Sequence, residues 1–159
     1  MIVLGIEGAL GLFSVAVVRD GEELALITLP GNAALEGGLD AIAQVLQGIP
    51  APDRIAVGVG PGRFTGLRIA ISYAKSLAQA WGVPLVGIPS IELVPQGVFG
   101  RLGERDFTVE SLDPPIATPA RTVALLGSSR EPAASLHEVR ADYGNSSGPK
   151  VPNFQLRSR

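Results

Sequence analysis

The residues of this sequence best placed to do chemistry are Gly60-Pro61-Gly62-Arg63-Phe64-Thr65-Gly66-Leu67-Arg68. They lie between an apolar run, Ile55-Ala56-Val57-Gly58-Val59, and a helical pattern from Gly66 to Trp81. A strand, a tight turn and a helix start therefore meet here. Gly60 and Gly62 admit backbone angles closed to other residues, and Pro61 fixes its own. Thr65 is placed to cap the helix, because its hydroxyl can accept a bond from a free amide of the first turn. A helix N-terminus offers unpaired amides and a positive dipole end, which suit a phosphate. The segment lacks the Lys and Ser/Thr of a Walker A loop and the three-glycine dinucleotide spacing. An anion site and a plain structural turn both stay open on these residues.

The helix that follows must position the loop. Gly66, Ala70, Ala74 and Ala78 recur at every fourth position and share one face, a shallow groove that another helix can approach closely. Leu67, Ile69, Ile71, Tyr73, Leu77 and Trp81 cover much of the rest, and Arg68, Ser72, Lys75 and Gln79 fall near one stripe. A helix apolar over most of its circumference is buried on more than one side. One side rests on the parent sheet; the other needs a second cover, from this chain or from a partner.

Composition narrows the chemistry. The length of 159 residues suits one domain with a small second unit, and the net charge of −2 gives no global basic field for nucleic acid or anionic membrane. Charged residues are only 18% against 46% hydrophobic, and the mean hydropathy is +0.31, a balance that fits a protein hiding surface against a partner. No stretch reaches ~20 uncharged apolar residues, so no membrane span is expected. The opening Met1-Ile2-Val3-Leu4-Gly5-Ile6 reads as a strand and not as a signal peptide, which points to a cytoplasmic setting. Cysteine is absent, removing disulfides, thiol catalysis and thiolate metal sites. His137 is the single histidine, too few for a usual zinc or iron site, so no metal is expected.

Along the chain, Ile2 to Ile6 predicts a strand, and Phe13 to Arg19 and Glu22 to Leu29 a hairpin about Asp20-Gly21. Ala33 to Leu46 predicts a helix, which Gly37 and Gly38 weaken by about 1 kcal/mol each. Leu85 to Ile88 predicts a buried strand, and Pro89-Ser90 opens a short helix. The order implies an α/β layer with a mixed sheet. Beyond Pro95 prolines and arginines increase; Thr122 to Leu126 reads as a strand, and Asp106 to Leu112 as a second. The division expected is residues 1–94, a second unit 95–142, and a basic, flexible tail 143–159 carrying Lys150, Arg157 and Arg159.

Residues Gly60 to Ile69, Ala74-Lys75-Ser76-Leu77-Ala78 and Val83-Pro84-Leu85-Val86-Gly87-Ile88-Pro89-Ser90 resemble the TsaB (YeaZ) family. Ile6-Glu7-Gly8-Ala9 followed by Ser14-Val15-Ala16 is similar to that family's first hairpin, and the resemblance covers about residues 1–92. It implies an actin-like ATPase (ribonuclease H-like) fold, here with a shortened second lobe. It implies a part in making threonylcarbamoyladenosine at position 37 of tRNA, as the non-catalytic partner of TsaD, with TsaE binding the pair and tRNA met only indirectly. The partner surface implied is the helix after the loop: Gly62, Phe64, Thr65, Gly66, Arg68, Ile69, Ala70, Tyr73, Ala74, Leu77 and Ala78. Through residues 66–78 the chain is also expected to pair with itself when its partner is absent.

Actin-like nucleotide sites use an aspartate and hydroxyl side chains in the first hairpin. Here Glu7 is one methylene longer, Gly8 and Ala9 replace hydroxyl residues, and no Ser or Thr precedes Ser14. Magnesium tolerates little slack in its octahedral shell, so independent ATP hydrolysis is expected to be disabled. Glu7, Gly8, Ala9, Gly60 and Gly62 then mark a vestigial nucleotide site. No cofactor is implied for the isolated chain, and the complex interface is the one place left for ATP. The alternative reading is a degenerate nucleotide-binding ATPase or kinase of the same fold. Arg63 reads as a solvated loop residue.

Overall fold

Five of the apolar runs pair into one sheet: β1 (Ile2–Glu7), β2 (Leu12–Arg19), β3 (Glu22–Pro30), β4 (Arg54–Gly58) and β5 (Leu85–Ile88), in the order β3-β2-β1-β4-β5. The computed structural model describes residues 1–62, 64–93 and 119–143 in full, and 101–102 and 105–106 by their backbone. β1 runs antiparallel to β2, and β2 to β3; β1–β4 and β4–β5 are parallel. The sheet is therefore mixed, as the sequence predicts. Asp20 (φ 50°) and Gly21 (φ 87°) form the two-residue turn of the hairpin, both in the left-handed region that a primed turn requires. A bulge between Val17 and Val18 shifts the β2–β3 register.

Alternation along the strands serves both faces. Leu4, Ile6, Val15, Val17, Ile55 and Val57 meet α1 (Ala34–Val45) and α2 (Phe64–Trp81) in one core cluster. Val3, Val18, Ala56, Val86 and Ile88 meet α3 (Pro119–Ser129) on the opposite face. Segment 119–143 thus packs on the same sheet as the N-terminal elements. Arg54 ties the far end of α3 to the sheet: its Nη1 donates to the carbonyls of Gly127 (3.0 Å) and Arg130 (2.9 Å). A cation there also complements the negative end of the helix dipole. Arg130 in turn grips Glu92 with both guanidinium nitrogens, which lowers the Glu92 carboxyl below its ordinary range.

Two local expectations are corrected. Thr122 to Leu126 is not a strand; it lies inside α3. Val123 to Leu126 is an unbroken apolar run, but Ala120, Val123, Ala124 and Gly127 are the inward positions of the helix, a spacing that Leu125 and Leu126 obscure. Gly5 on β1 lets this helix lie close, since a side-chain carbon there would stand 2.3 Å from the Ala120 carbonyl. Thr65 is not the N-cap of α2, because the helix has already begun at Phe64 and Thr65 sits in its first turn. Of the strand expected at 106–112, only Asp106 is described, in the short antiparallel pair β6 (Arg101–Leu102) and β7 (Arg105–Asp106). Its remainder, Arg63 and residues 144–159 lie outside the described residues.

Gly38 has a packing role that its helix propensity hides. A side-chain carbon there would stand 2.5 Å from the Tyr73 ring and 3.1 Å from Phe13. Tyr73 meets Phe13 edge-to-face at 6.0 Å, and its hydroxyl donates towards the Ala34 and Leu35 carbonyls, both 3.1 Å away. Gly38→Ala is therefore expected to destabilise the chain by about 1–3 kcal/mol, although alanine is the better helix former. Urea unfolding measures it, and a more stable variant would contradict this packing.

Candidate partner-docking site

The site begins at the turn between β4 and α2. Gly60 has φ +92°, a conformation that suits glycine, and the Gly60–Pro61 peptide is cis. Gly60 lies against the Asp142 carbonyl and Gly62 against the Ala9 carbonyl, with room for no side chain at either. Gly8 and Gly66 face each other in the same way: a side-chain carbon on Gly66 would stand 2.2 Å from the Gly8 carbonyl oxygen. The first hairpin turn, the loop and the first turn of α2 are therefore packed backbone to backbone. Gly60 and Gly62 are buried in this packing and do not form an open phosphate cradle.

Glu7 is fully buried at the end of β1. Its carboxyl accepts from the amides of Ala9 and Leu10 and from the Ser90 hydroxyl (3.1 Å), and the Ser90 oxygen accepts from the Gly60 amide (3.0 Å). Glu7 thus fastens the hairpin turn to the loop through Ser90. Burial away from water pushes its pKa up to about 7, against the lowering effect of those hydrogen bonds. Ala9 is also wholly buried. Of the residues expected to mark a vestigial nucleotide site, Gly8 alone borders the adjoining cleft of ≈ 710 Å³. Among the described residues, no group of three His, Asp or Glu side chains is arranged to hold a metal.

The small-residue ridge of α2 faces inward. Gly66, Ala70, Ala74 and Ala78 are buried against this chain's own sheet and hairpin, so they are not available to a partner in the folded chain. Small side chains bring the helix axis close to the sheet; the spacing was legible, its direction was not. Phe64, Thr65, Arg68, Ile69, Tyr73 and Leu77 stay at least partly exposed, while Gly62 is buried.

The sequence reading left α1 out of the partner surface. Leu35 and Leu39 are 71% and 55% exposed, and with Ala43 they form an outward row at i, i+4 and i+8. Ala34, Gly38, Ala41, Ile42 and Val45 supply the inward face of the same helix. That double apolar pattern was the available signal. Leu35 lines a cleft of ≈ 380 Å³ with Phe64, Thr65, Ile69 and Tyr73 of α2, and Arg68 and Ser72 border it. Two helices thus present one continuous apolar face beside the hairpin turn. Leucines exposed to this degree on adjacent helices suit a protein partner.

Comparison with known proteins finds the following likenesses. A family model described as TsaD, tRNA N6-adenosine threonylcarbamoyltransferase, matches residues 39–106. The tRNA threonylcarbamoyladenosine biosynthesis protein TsaB of Escherichia coli is 32% identical over 107 residues, covering 65% of this chain and 46% of that protein. The solved structure of YeaZ from Pseudomonas aeruginosa superimposes with a TM-score of 0.55 at 27% identity, over 62% of this chain and 49% of that one. The chain is TsaB/YeaZ-like. This TsaB/YeaZ-like chain has the ribonuclease H-like, actin-like fold expected from its motifs. Thermus thermophilus RuvC shares that fold, with a TM-score of 0.52 at 15% identity over 84% of this chain and 100% of its own. The chain spans less than half the length of the E. coli TsaB and P. aeruginosa YeaZ proteins that it matches. Among the described residues, no helix is long and apolar enough to cross a membrane.

Proposed function

We propose that this chain is the non-catalytic partner of a TsaD-like transferase in forming threonylcarbamoyladenosine at position 37 of tRNA. The observation that carries this reading is the exposed apolar face of Leu35, Leu39 and Ile69 on a TsaB/YeaZ-like fold. A protein that catalysed the transfer itself would need a metal or acid–base group open to substrate. Glu7 is enclosed by its own hydrogen bonds, and His137 is the single histidine of the sequence. The chain acts instead by holding the transferase in its working conformation. A TsaE-like ATPase joins the assembled pair, and the same apolar face closes a homodimer when the transferase is absent. The work is done in the cytoplasm, where the tRNA is.

Size-exclusion chromatography with light scattering, on this chain and the TsaD of the same organism, tests the pairing. A one-to-one complex is expected. Separate elution, with ATP and the TsaE of that organism present, would contradict it.

A second reading, a degenerate nucleotide-binding protein, has one observation in its favour: the ≈ 710 Å³ cleft bordered by Gly8, Gly11 and the first turn of α2. Among the described residues no carboxylate lines that cleft, so none of them offers magnesium an anionic ligand there. Calorimetry with ATP and magnesium separates the two. No binding by the isolated chain is expected, and micromolar binding would favour the second reading.

A further inference from the structure

The two flanks of α2 differ. Ile69 and Tyr73 turn toward α1, whereas Arg68, Ser72 and Lys75 lie on the adjoining flank, at i, i+4 and i+7, with Arg68 and Ser72 also bordering the cleft beside Leu35. That flank forms a cleft of ≈ 370 Å³ with Arg140 and Tyr143 of the C-terminal segment. Three cationic side chains therefore converge on one cleft of a chain whose net charge is −2.

Those charges are not spent within the described structure. Among the described residues no carboxylate lines the cleft, and none pairs with Arg68, Lys75 or Arg140. Arg68 lies over the Phe64 ring at 5.1 Å, and the Arg140 Nε donates to the His137 carbonyl at 3.0 Å. Each guanidinium keeps further N–H groups for an acceptor. The Asp142 carboxylate, two residues after Arg140, is not part of the cleft's lining.

We propose that this cleft binds the phosphate backbone of an RNA, with Arg68, Lys75 and Arg140 as the phosphate contacts. Phosphate oxygens are the acceptors that clustered Arg and Lys recognise best. Arg68 and Lys75 are seven residues apart, about 10 Å along the helix axis. That spread exceeds one phosphate and suits successive phosphates of a strand. Ser72 adds a hydroxyl donor between them. The choice of RNA over other polyanions rests on the tRNA role proposed above. The contact is made by this chain directly, in addition to any made by its partner.

Fluorescence anisotropy with a labelled, unmodified tRNA transcript tests the assignment on the full chain. The wild type is expected to bind at low salt, with log K falling against log salt by about 2 to 3 for three phosphate contacts. Lys75→Glu combined with Arg140→Glu is expected to weaken binding by at least about tenfold and to flatten that slope by about 2. Both positions lie at the surface, so the variant's melting temperature should match the wild type. Its co-elution with TsaD should also persist, because neither Lys75 nor Arg140 lines the cleft beside Leu35. Loss of pairing in the wild type would remove the proposed function. RNA binding that is absent in the wild type, or equal in the double variant, would overturn the cleft assignment alone. If an excess of ATP displaces the RNA and binds the wild type but not the variant, the cleft takes a nucleotide and the RNA assignment is overturned.

Discussion

Ala70→Arg is expected to leave this chain unfolded at room temperature, and Ile69→Arg, one residue earlier, to leave it folded but unable to pair. Ala70 is wholly buried, on the side of α2 that meets Gly8 and the sheet. A guanidinium there has no carboxylate to meet and no path to water, so the cost exceeds about 4 kcal/mol. Domains of this size hold roughly 5–15 kcal/mol in all. Ile69 is only half-buried and lines the apolar clefts beside Leu35. An arginine at that position keeps its charge in water in the free chain and loses that water only when a partner docks. Circular dichroism with urea titration reads the first effect, and light scattering with TsaD the second. A folded Ala70→Arg chain, or an Ile69→Arg chain that still pairs, would contradict the assignment of inner and outer faces.

Glu7→Gln is expected to remove most of the pH dependence of stability between pH 4.5 and 7. The Glu7 carboxyl titrates near 7 when folded and at 4.5 when unfolded, because burial disfavours its charge. Below pH 4.5 both states hold the proton and the folded state has its full stability. As the pH rises, the unfolded chain releases the proton first, and stability falls until the folded carboxyl also ionises near pH 7. The difference of about 2.5 units corresponds to roughly 3 kcal/mol. Glutamine keeps an acceptor for the Ala9 and Leu10 amides and a donor for Ser90, without the titration. Urea midpoints of both proteins across that range test this. Parallel curves for wild type and variant would contradict it.

Local chemistry made much of this fold legible. Asp20-Gly21 demands positive φ and so declares the hairpin. The apolar runs at Ile2, Ile55 and Leu85 are too short and too bare of polar residues for anything but buried strands. Direction was harder to read than periodicity. The row Gly66-Ala70-Ala74-Ala78 is genuine, but a smooth ridge serves a sheet as well as a second helix, and only packing decides which lies against it. The α1 row of Leu35 and Leu39 went unread because Gly37 and Gly38 make that helix look weak; Gly38 in fact admits the Tyr73 ring. The run around Thr122 misled for the converse reason, since a helix buried on one side and a strand buried on both can share an unbroken apolar run. Glu7 shows the limit of motif reasoning. Its position resembles that of the aspartate in actin-like nucleotide sites, yet its surroundings bind it to Ser90 and to the hairpin amides.

Hydrogen–deuterium exchange of this chain, alone and with its TsaD, bears most directly on the central claim. Docking on the apolar face predicts slowed exchange over residues 35–43 and 64–77, with α3 unchanged on the far side of the sheet. Slowed exchange confined to α3, or none in α1 and α2 when the complex has formed, would contradict it.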